Sequence, residues 1–294
     1  MPRLSANGQE LEVERRGDPS GPPLVLVNGI GTQLVTWPDP FVEGLVAAGL
    51  HLVLFDNRDA GLSSKIEGIR VPAPREVAAM MRQGLKPPVP YTLHDMAADT
   101  AALITALGLR RAHVLGLSMG GMIAQLLAAD HPQTVASLTS IMSTTGERSV
   151  GQPSPRGLAA LTTPPPALDR ESLIAHSIWA QRQIASPAWP RPEAEVRAMA
   201  ARAYDRAYEP AGFLRQYAAI LATGSFRDRL ARVRAPTLIL HGTDDPLVDI
   251  SGGRDSAAAI PGARLIEIPG MGHDLPASLC PRLVELVVAH VRAV

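Results

Sequence analysis

The sequence predicts an α/β fold with a mostly parallel central sheet and helices on both faces. Short, nearly continuous apolar runs recur along the chain and alternate with segments whose apolar residues are spaced by three and four. Such runs are typical of strands buried on both faces, and their alternation with helices indicates parallel crossovers. The chain has 294 residues, of which 46% are hydrophobic. That is enough for one large core with an inserted subdomain.

The first predicted element is a β-hairpin. Apolar and polar residues alternate around Asn7-Gly8, a pair that favours a two-residue turn between antiparallel strands. We therefore expect one antiparallel edge on the sheet. Six apolar runs predict the remaining strands, at 24–27, 50–55, 112–117, 135–142, 237–242 and 263–268.

Helical spacing separates several of these strands. Residues 96–109 have a helical pattern with Gly108 near its end, and the pattern over 122–132 stops at Pro132. A short helix, REVAAMMRQG, is predicted within residues 65–95.

Residues 146–230 interrupt the alternation of strands and helices. This segment is rich in Pro, Ala and Arg and has no strand pattern. Its spacing predicts three helices, at about 168–186, 192–208 and 210–223. A helical block between two strands predicts a cap over one end of the sheet. We therefore expect a core formed by 1–145 and 231–294, and a helical cap formed by 146–230.

Composition restricts the partners and the compartment. The 28 basic and 28 acidic residues cancel, so the charge balance favours neither nucleic acid nor an anionic membrane as a partner. Cys280 is the only cysteine, and no His, Asp and Glu cluster has metal-ligand spacing. No apolar run approaches the roughly 20 residues of a membrane helix. We expect a cytoplasmic protein without a metal or other cofactor, and the sequence leaves its oligomeric state open.

A serine lies between glycines at the end of a predicted strand. Gly116-Leu117-Ser118-Met119-Gly120 fits the pattern G-x-S-x-G at a strand-to-helix turn. A sharp turn that exposes a serine hydroxyl needs small residues two positions before and two after it. The helix that follows directs its N-terminal N–H groups toward the site. The pattern predicts that Ser118 is a nucleophile.

A serine hydroxyl needs a base to take its proton and an acid to orient that base. His273 follows the last predicted strand in a glycine-rich loop, at the same sheet edge as Ser118. We interpret the other seven histidines as packed or solvated. Asp244, Asp245 and Asp249 follow strand 237–242 at that edge. The order serine, aspartate, histidine along the chain is the one expected for this type of sheet.

The segments GLSMGG, HGTDDPLV, GMGHDLP and FDNRDAGLS together resemble the α/β-hydrolase superfamily over essentially the whole chain apart from the cap. The resemblance implies that Asp245 is the acid, as the last residue of G-x-x-D, with Asp244 as the alternative. It also implies an oxyanion hole formed by the backbone N–H groups of Ile30 and Met119. The segment from Asn28 to Ser63 further resembles methylesterases that act on aromatic polyketides.

Two positions depart from the usual pattern of the superfamily. Asn28 stands where histidine is common, which puts the contacts that anchor its loop in question but leaves the donor of the oxyanion hole unaffected. Asp59 stands where glycine is usual. We interpret the nearby Asp56 and Arg58 as structural residues that brace neighbouring loops.

Two other classes of protein compete with a hydrolase. Gly29 and Gly31 after a strand, with Asp56 ending the next, resemble a dinucleotide-binding motif, but Leu34 replaces its third glycine. A non-catalytic ligand-binding protein with a hydrolase fold is the second alternative, because a fold alone does not imply catalysis.

The sequence therefore predicts a serine carboxylesterase that forms an acyl-enzyme on Ser118, and the resemblance points to methylesterases as one such class. Its expected partner is a small hydrophobic ester. The same residues could also support perhydrolysis, lactone hydrolysis or C–C bond hydrolysis. The candidates for the substrate pocket are Leu34, Trp37, Met122, Met142 and Trp179.

Overall fold

The computed structural model describes residues 3–294, which form one eight-stranded sheet with strand order β1-β2-β4-β3-β5-β6-β7-β8. The strands are β1 (Arg3–Ala6), β2 (Gln9–Arg16), β3 (Pro23–Val27), β4 (His51–Phe55), β5 (Ala112–Leu117), β6 (Val135–Ile141), β7 (Thr237–Gly242) and β8 (Arg264–Ile268). The predicted α/β fold is confirmed.

Ten α-helices accompany the sheet within these residues. They are α1 (Asp39–Ala47), α2 (Pro74–Arg82), α3 (Leu93–Ala106), α4 (Met119–Asp130), α5 (Pro155–Thr162), α6 (Arg170–Ile184), α7 (Glu193–Arg206), α8 (Pro210–Thr223), α9 (Ile250–Ala259) and α10 (Cys280–Arg292).

The hairpin forms one edge of the sheet. Asn7 and Gly8 both have positive φ, of 51° and 73°, as a tight turn between antiparallel strands requires. Strand β2 pairs antiparallel with both β1 and β4, whereas every other pairing in the sheet is parallel. The predicted antiparallel edge is therefore confirmed.

Both faces of the sheet are apolar, as the continuous strand patterns predict. Val25 and Val27 point to a cluster that contains α3 and α4. Leu24 and Leu26, which alternate with them, point to a second cluster that contains α1 and α10. The side chains of β3 therefore pack against helices on both faces of the sheet.

Two core helices begin three residues earlier than their patterns predict. Helix α3 begins at Leu93, because Asp95 accepts a hydrogen bond from the Thr92 N–H at 2.7 Å and caps the first turn. Helix α4 begins at Met119 and not at 122, so it follows Ser118 without a linker. The predicted short helix in 65–95 is α2.

The segment between β6 and β7 holds four helices, so the prediction of three helices there is wrong. The missed helix is α5, where the Ser154 side chain accepts a hydrogen bond from the Gly157 N–H at 3.2 Å and Pro155 occupies the first turn. Helices α6 and α7 share a small apolar cluster of their own, formed by Ile174, Ile178, Val196 and Ala200. The division of the chain into core and cap at 146 and 230 remains a prediction.

Within residues 3–294, none of the helices combines the length and the hydropathy needed to cross a bilayer. The same residues contain no group of three or more His, Cys, Asp or Glu side chains arranged to hold a metal ion.

Candidate active site

Ser118 occupies the turn between β5 and α4 in a strained backbone conformation. Its φ is 54° and its ψ is −119°, a region that residues with a Cβ rarely adopt. Neighbouring hydrogen bonds hold the turn in place. The Ser118 N–H donates to the Ile141 carbonyl at 3.0 Å, and the Ser143 hydroxyl donates to the Ser118 carbonyl at 2.8 Å. The strain is therefore maintained by the end of β6 and by the residues that directly follow it.

The two glycines of the motif leave no room for a side chain. A Cβ at Gly116 would lie 2.0 Å from the Gly120 carbonyl oxygen, and one at Gly120 would lie 2.1 Å from the Val27 carbonyl oxygen. Both contacts involve backbone, which cannot yield as a flexible side chain can. The turn therefore has the close packing that the G-x-S-x-G pattern predicts.

Asp245 and His273 are hydrogen-bonded to each other. His273 Nδ1 lies 2.7 Å from Asp245 Oδ2, and the Asp245 side chain is fully buried. The N–H groups of Leu247 and Val248 donate to Asp245 Oδ1 at 2.8 and 2.9 Å. Because the carboxylate accepts the bond, the proton of the neutral imidazole lies on Nδ1 and the lone pair on Nε2.

The other two aspartates that follow β7 make different contacts. Asp244 is exposed, and it accepts hydrogen bonds from the Thr243 hydroxyl and the Gly270 N–H. Asp249 caps α9 through the Ser251 N–H at 2.9 Å. Only Asp245, among the three candidate acids, contacts His273.

A second histidine lies beside Asp245. His241 Nε2 is 3.7 Å from Asp245 Oδ2 and donates to the Val248 carbonyl at 2.8 Å. Burial lowers the pKa of His241, so it is neutral at physiological pH. His241 therefore packs against the acid without adding charge to it.

Ser118 and His273 both lie where parallel strands of the sheet have their carboxyl ends, but no hydrogen bond joins the two residues within 3–294. Strands β5, β7 and β8 are parallel, so the turn and the loops at their carboxyl ends meet at that edge. The structure thus brings Asp245 and His273 into contact. It places Ser118 at the same end of the strands, without a hydrogen bond to His273. Catalytic hydrogen bonds often form only when substrate is bound.

The loop after β3 packs against the Ser118 turn. A Cβ at Gly29 would lie 3.6 Å from Ser118 Cβ, so the two segments are in contact. Within residues 3–294, the Ile30 and Met119 N–H groups donate no hydrogen bond, although the next amide after Ile30, that of Gly31, does. Met119 is the first residue of α4, where backbone N–H groups lack helical partners. Neither predicted donor is therefore engaged in a hydrogen bond among the described residues, and their role in an oxyanion hole remains a prediction.

Asn28 anchors the loop where the superfamily commonly has histidine. Its side-chain amide donates to the Phe55 carbonyl at 2.7 Å, and its own carbonyl accepts from the Asn57 side chain at 3.0 Å. The loop after β3 is thus tied to the end of β4 by the residue that departs from the pattern.

Asp56 and Arg58 brace loops, as predicted. Asp56 accepts from the Leu34 and Leu62 N–H groups at 2.7 and 2.8 Å. Arg58 forms a buried, two-bond ion pair with Asp99. Both residues are structural in this arrangement.

Asp59 links the core to α8. Its carboxylate accepts two hydrogen bonds from the Arg215 guanidinium, at 2.8 and 2.9 Å, and a third from the Tyr91 hydroxyl at 2.6 Å. Burial and the neighbouring Asp59 charge raise the pKa of Tyr91, which therefore stays protonated as a donor. Asp59 has a φ of 65°, which explains why glycine is common at this position.

Most of the pocket candidates lie in the apolar clusters. Leu34, Trp37 and Met142 belong to the cluster on the α1 side and Met122 to the cluster on the α4 side, each at most 5% exposed. Trp179 is half-buried on α6 and stacks on His176. Their predicted role in binding substrate remains a prediction.

The loop that carries His273 is fastened to the last residue of α6 and to the segment that follows it. The His273 N–H donates to the Ile184 carbonyl at 2.7 Å, and the Gly272 N–H donates to the Ser186 hydroxyl at 2.9 Å. Asp274 accepts from the Ser186 N–H at 3.0 Å, and burial raises the pKa of this carboxyl group. Sequence reasoning missed Ser186 and Asp274, because no local pattern links positions 88 residues apart.

Gln33, at the far end of the loop after β3, and Gln216, which contacts that loop, were also missed. Gln216 is a fully buried amide on the face of α8 that also buries Gly212, Arg215 and Ala219. Buried amides need hydrogen-bond partners, but the sequence of α8 alone does not show that this position is buried.

Comparison with known proteins identifies one family and several relatives. The α/β-hydrolase fold family matches residues 22–276. Rhodomycin D methylesterase DnrP of Streptomyces peucetius is 32% identical over 313 aligned positions, which cover 100% of this chain and 99% of that protein. Rhodomycin D methylesterase DauP of Streptomyces sp. (strain C5) is 30% identical, with 94% of this chain and 93% of that protein covered.

Solved structures include an enol-lactonase from Burkholderia xenovorans LB400. It superposes with a TM-score of 0.71 at 25% identity, and the match covers 99% of this chain and 100% of that chain. The sequence and structural comparisons therefore agree on the fold, and the relatives hydrolyse esters or lactones according to their names.

Proposed function

The chain belongs to the α/β-hydrolase family, and we propose that it hydrolyses carboxylic esters with Ser118 as the nucleophile. One observation carries the proposal. The buried Asp245 is hydrogen-bonded to His273 Nδ1 at 2.7 Å, at the sheet edge where the strained Ser118 turn lies. This arrangement leaves His273 Nε2 as the only basic atom of the pair that can accept a proton.

In the proposed first step, Ser118 Oγ attacks the carbonyl carbon of the ester. His273 Nε2 takes the hydroxyl proton, and Asp245 stabilises the resulting imidazolium. The Ile30 and Met119 N–H groups stabilise the negative charge on the tetrahedral oxygen. His273 then gives its proton to the departing alcohol, which leaves an acyl group on Ser118.

In the second step, water hydrolyses the acyl-enzyme. His273 Nε2 takes a proton from the water, which attacks the acyl carbon, and the same two amides stabilise the second oxyanion. The proton returns to Ser118 Oγ as the carboxylic acid leaves. Both steps use the same three side chains and the same two backbone amides.

We propose methyl esters of small hydrophobic molecules as the substrate class. Two relatives at 32% and 30% identity carry the name rhodomycin D methylesterase and match the chain over nearly its full length. Helices α5 to α8 would form the cap over the site, with its fastening to the His273 loop at Ser186. Lactone hydrolysis is the second candidate, favoured by the enol-lactonase at 25% identity.

A substrate panel tests the proposal. Methyl esters of aromatic acids, p-nitrophenyl esters of rising acyl length and a lactone series are assayed with the wild type and with Ser118→Ala. We expect turnover of a methyl ester that Ser118→Ala lowers by about 10⁴-fold or more. Equal turnover by the two proteins would contradict the serine mechanism. Turnover confined to lactones would favour the second candidate.

A further inference from the structure

We propose that Gln216 on α8 is a positioning residue that holds the loop carrying the Ile30 N–H in the geometry of an oxyanion hole. The inference rests on the proposed function and deepens it. It assigns to a helix of the inserted segment a role in transition-state stabilisation, through a contact between residues 185 positions apart.

Gln216 has two buried hydrogen bonds, and both are to backbone. Its Oε1 accepts from the Gly31 N–H at 2.8 Å, and its Nε2 donates to the Arg58 carbonyl at 2.8 Å. The side chain is fully buried. Because one neighbour is a donor and the other an acceptor, only this orientation of the amide satisfies both, and the side chain cannot flip.

The contact with Gly31 determines which amide of the loop remains free. Gly31 directly follows Ile30 and has a φ of 64°, so the chain turns sharply at the residue whose N–H Gln216 binds. Gln216 occupies the Gly31 N–H, whereas the Ile30 N–H has no partner within residues 3–294. The Phe213 ring fixes the position further, since a Cβ at Gly31 would lie 2.7 Å from it.

The far end of the same loop is fastened to α7 and its end. The Gln33 side-chain amide donates to the carbonyls of Ala203 and Ala207, at 2.8 Å each, and its Oε1 accepts from Arg206 at 2.8 Å. With that end held, a change at Gln216 alters the part of the loop nearest the donor and leaves its attachment to α7 intact.

Loss of the Gln216 amide should affect the transition state more than the bound substrate. An oxyanion-hole donor contributes only when charge develops on the substrate oxygen, and removing one costs about 10²- to 10³-fold in kcat. Displacing a donor without removing it should cost part of that factor, roughly 10- to 100-fold. KM should change little, because ground-state binding does not depend on the donor.

Gln216→Met is the test variant and Thr223→Val is its matched control. Methionine fills a similar volume without a strong hydrogen-bonding group. Thr223 lies on the same helix, and its hydroxyl oxygen accepts from the Leu93 N–H at 2.9 Å, away from the oxyanion loop. Valine removes that bond, so both variants lose a contact between α8 and a core backbone amide.

The kcat of each variant is calculated from the concentration of active sites, which is determined by titration with a fluorophosphonate. The affinity for a boronic acid inhibitor is measured alongside. For Gln216→Met we expect kcat and inhibitor affinity to fall together by about 10- to 100-fold, with KM within about twofold. For Thr223→Val we expect kcat within about twofold of the wild type. Unchanged kcat in Gln216→Met, or an equal fall in both variants, would overturn the proposal.

Gln216→Glu keeps the test decisive if Gln216→Met fails to fold. A protonated glutamic acid can accept from Gly31 and donate to Arg58 as the amide does, whereas the carboxylate cannot donate. Burial raises the pKa of a carboxyl group. The ratio of variant to wild-type kcat should therefore be higher at about pH 6 than at about pH 9. A ratio that does not change with pH would overturn the proposal.

The wild type and Ser118→Ala are included in the same assays. Ester turnover by the wild type that Ser118→Ala abolishes supports the proposed function, whatever Gln216→Met does. Absence of ester turnover by the wild type would count against the proposed function itself. A normal Gln216→Met beside an inactive Ser118→Ala would refute only the role of Gln216.

Discussion

At the scale of single residues, the site depends on one strained serine and on the glycines that make its turn possible. Ser118 keeps a φ of 54° while its N–H is bonded to Ile141, the last residue of β6, and its carbonyl to Ser143, two residues further on. Backbone strain of this kind persists only where the surroundings enforce it, and it is concentrated at functional sites.

Gly120→Ala should damage the turn. The new Cβ would meet the Val27 carbonyl oxygen at 2.1 Å, so β3 and α4 must separate. We expect a loss of about 1 to 3 kcal/mol in the free energy of unfolding, typical of overpacking, together with a large fall in kcat. Urea denaturation and ester turnover measure the two effects.

Gly108→Ala is the control for this substitution. Gly108 has a φ of 71° but a Cβ there would meet no atom within 4 Å. It should lower stability through backbone strain and leave kcat unchanged. Equal kcat in the two variants would contradict a steric role for Gly120.

The two adjacent aspartates should differ sharply in their effect on activity. Asp245→Asn removes the carboxylate that fixes the tautomer of His273 and stabilises its imidazolium, so kcat should fall by about 10⁴-fold, as for the same change in other triads. Asp244→Asn alters an exposed residue bonded to Thr243 and Gly270, so kcat should stay within about twofold. A larger fall in kcat for Asp244→Asn than for Asp245→Asn would show that Asp244, and not Asp245, is the acid.

At the scale of elements, a buried ion pair attaches α8 to the core. Asp59 and Arg215 are 1% and 6% exposed, so neither charge has water as an alternative partner. Arg215→Met would leave the Asp59 carboxylate buried beside Tyr91 without the guanidinium that donates two hydrogen bonds to it.

We expect Arg215→Met to lower the free energy of unfolding by about 3 to 5 kcal/mol, the usual cost of removing one partner of a buried pair. Asp59→Asn in the same protein should restore part of the loss, since asparagine tolerates a positive φ and still accepts from Tyr91. Arg170→Met, at the exposed pair with Asp205, serves as the control and should change the urea midpoint little. Equal urea midpoints for Arg215→Met and Arg170→Met would contradict a stabilising role for the buried ion pair.

Local patterns were sufficient to predict the strands and the chemistry-bearing loops, because those features depend on neighbours in sequence. The apolar run 112–117 predicts β5, and the G-x-S-x-G motif at 116–120, which overlaps its end, predicts the Ser118 turn. Ser154 and Pro155 at the start of α5 are a local signal of the same kind, an N-cap followed by a first-turn proline.

Contacts between distant segments were beyond the reach of local patterns. Asp59 meets Arg215 across 156 positions, and Gln33 meets Ala203 across 170. Which of Asp244 and Asp245 faces His273 depends on the path of the loop after β7. Such pairings follow from tertiary packing, so one sequence without structure leaves them open.

At the scale of the whole molecule, strand order determines where the site forms. Strand β3 lies between β4 and β5. The chain therefore runs from β3 to β4 on one side, and then crosses to β5 on the other side of β3. A crevice forms at the carboxyl ends of strands where the order reverses in this way. The loop with Ile30 and the turn with Ser118 follow the two strands that border it, β3 and β5.

Buried histidines should make the fold less stable in acid. Burial, together with the nearby His290 and Arg111, lowers the pKa of His113, and burial also lowers the pKa of His51, His241 and His290. Below about pH 6.5 the unfolded chain binds protons at these sites that the folded protein does not, so acid favours unfolding. The contribution of these neutral histidines to the free energy of unfolding is therefore complete at neutral pH and falls as the pH drops below about 6.5.

His113→Asn tests this contribution away from the active site. The fall in Tm between about pH 8 and about pH 5.5 should be smaller in the variant than in the wild type. An equal or larger fall in the variant would show that His113 does not contribute in this way.

The central claim is that Ser118 forms a covalent intermediate with the help of His273. The most direct measurement is labelling of the intact protein with a fluorophosphonate, followed by mass mapping of the modified peptide. We predict one adduct per chain, located on Ser118, absent in Ser118→Ala and formed far more slowly in His273→Ala. An unlabelled wild type, or an adduct on another residue that persists in Ser118→Ala, would contradict the account.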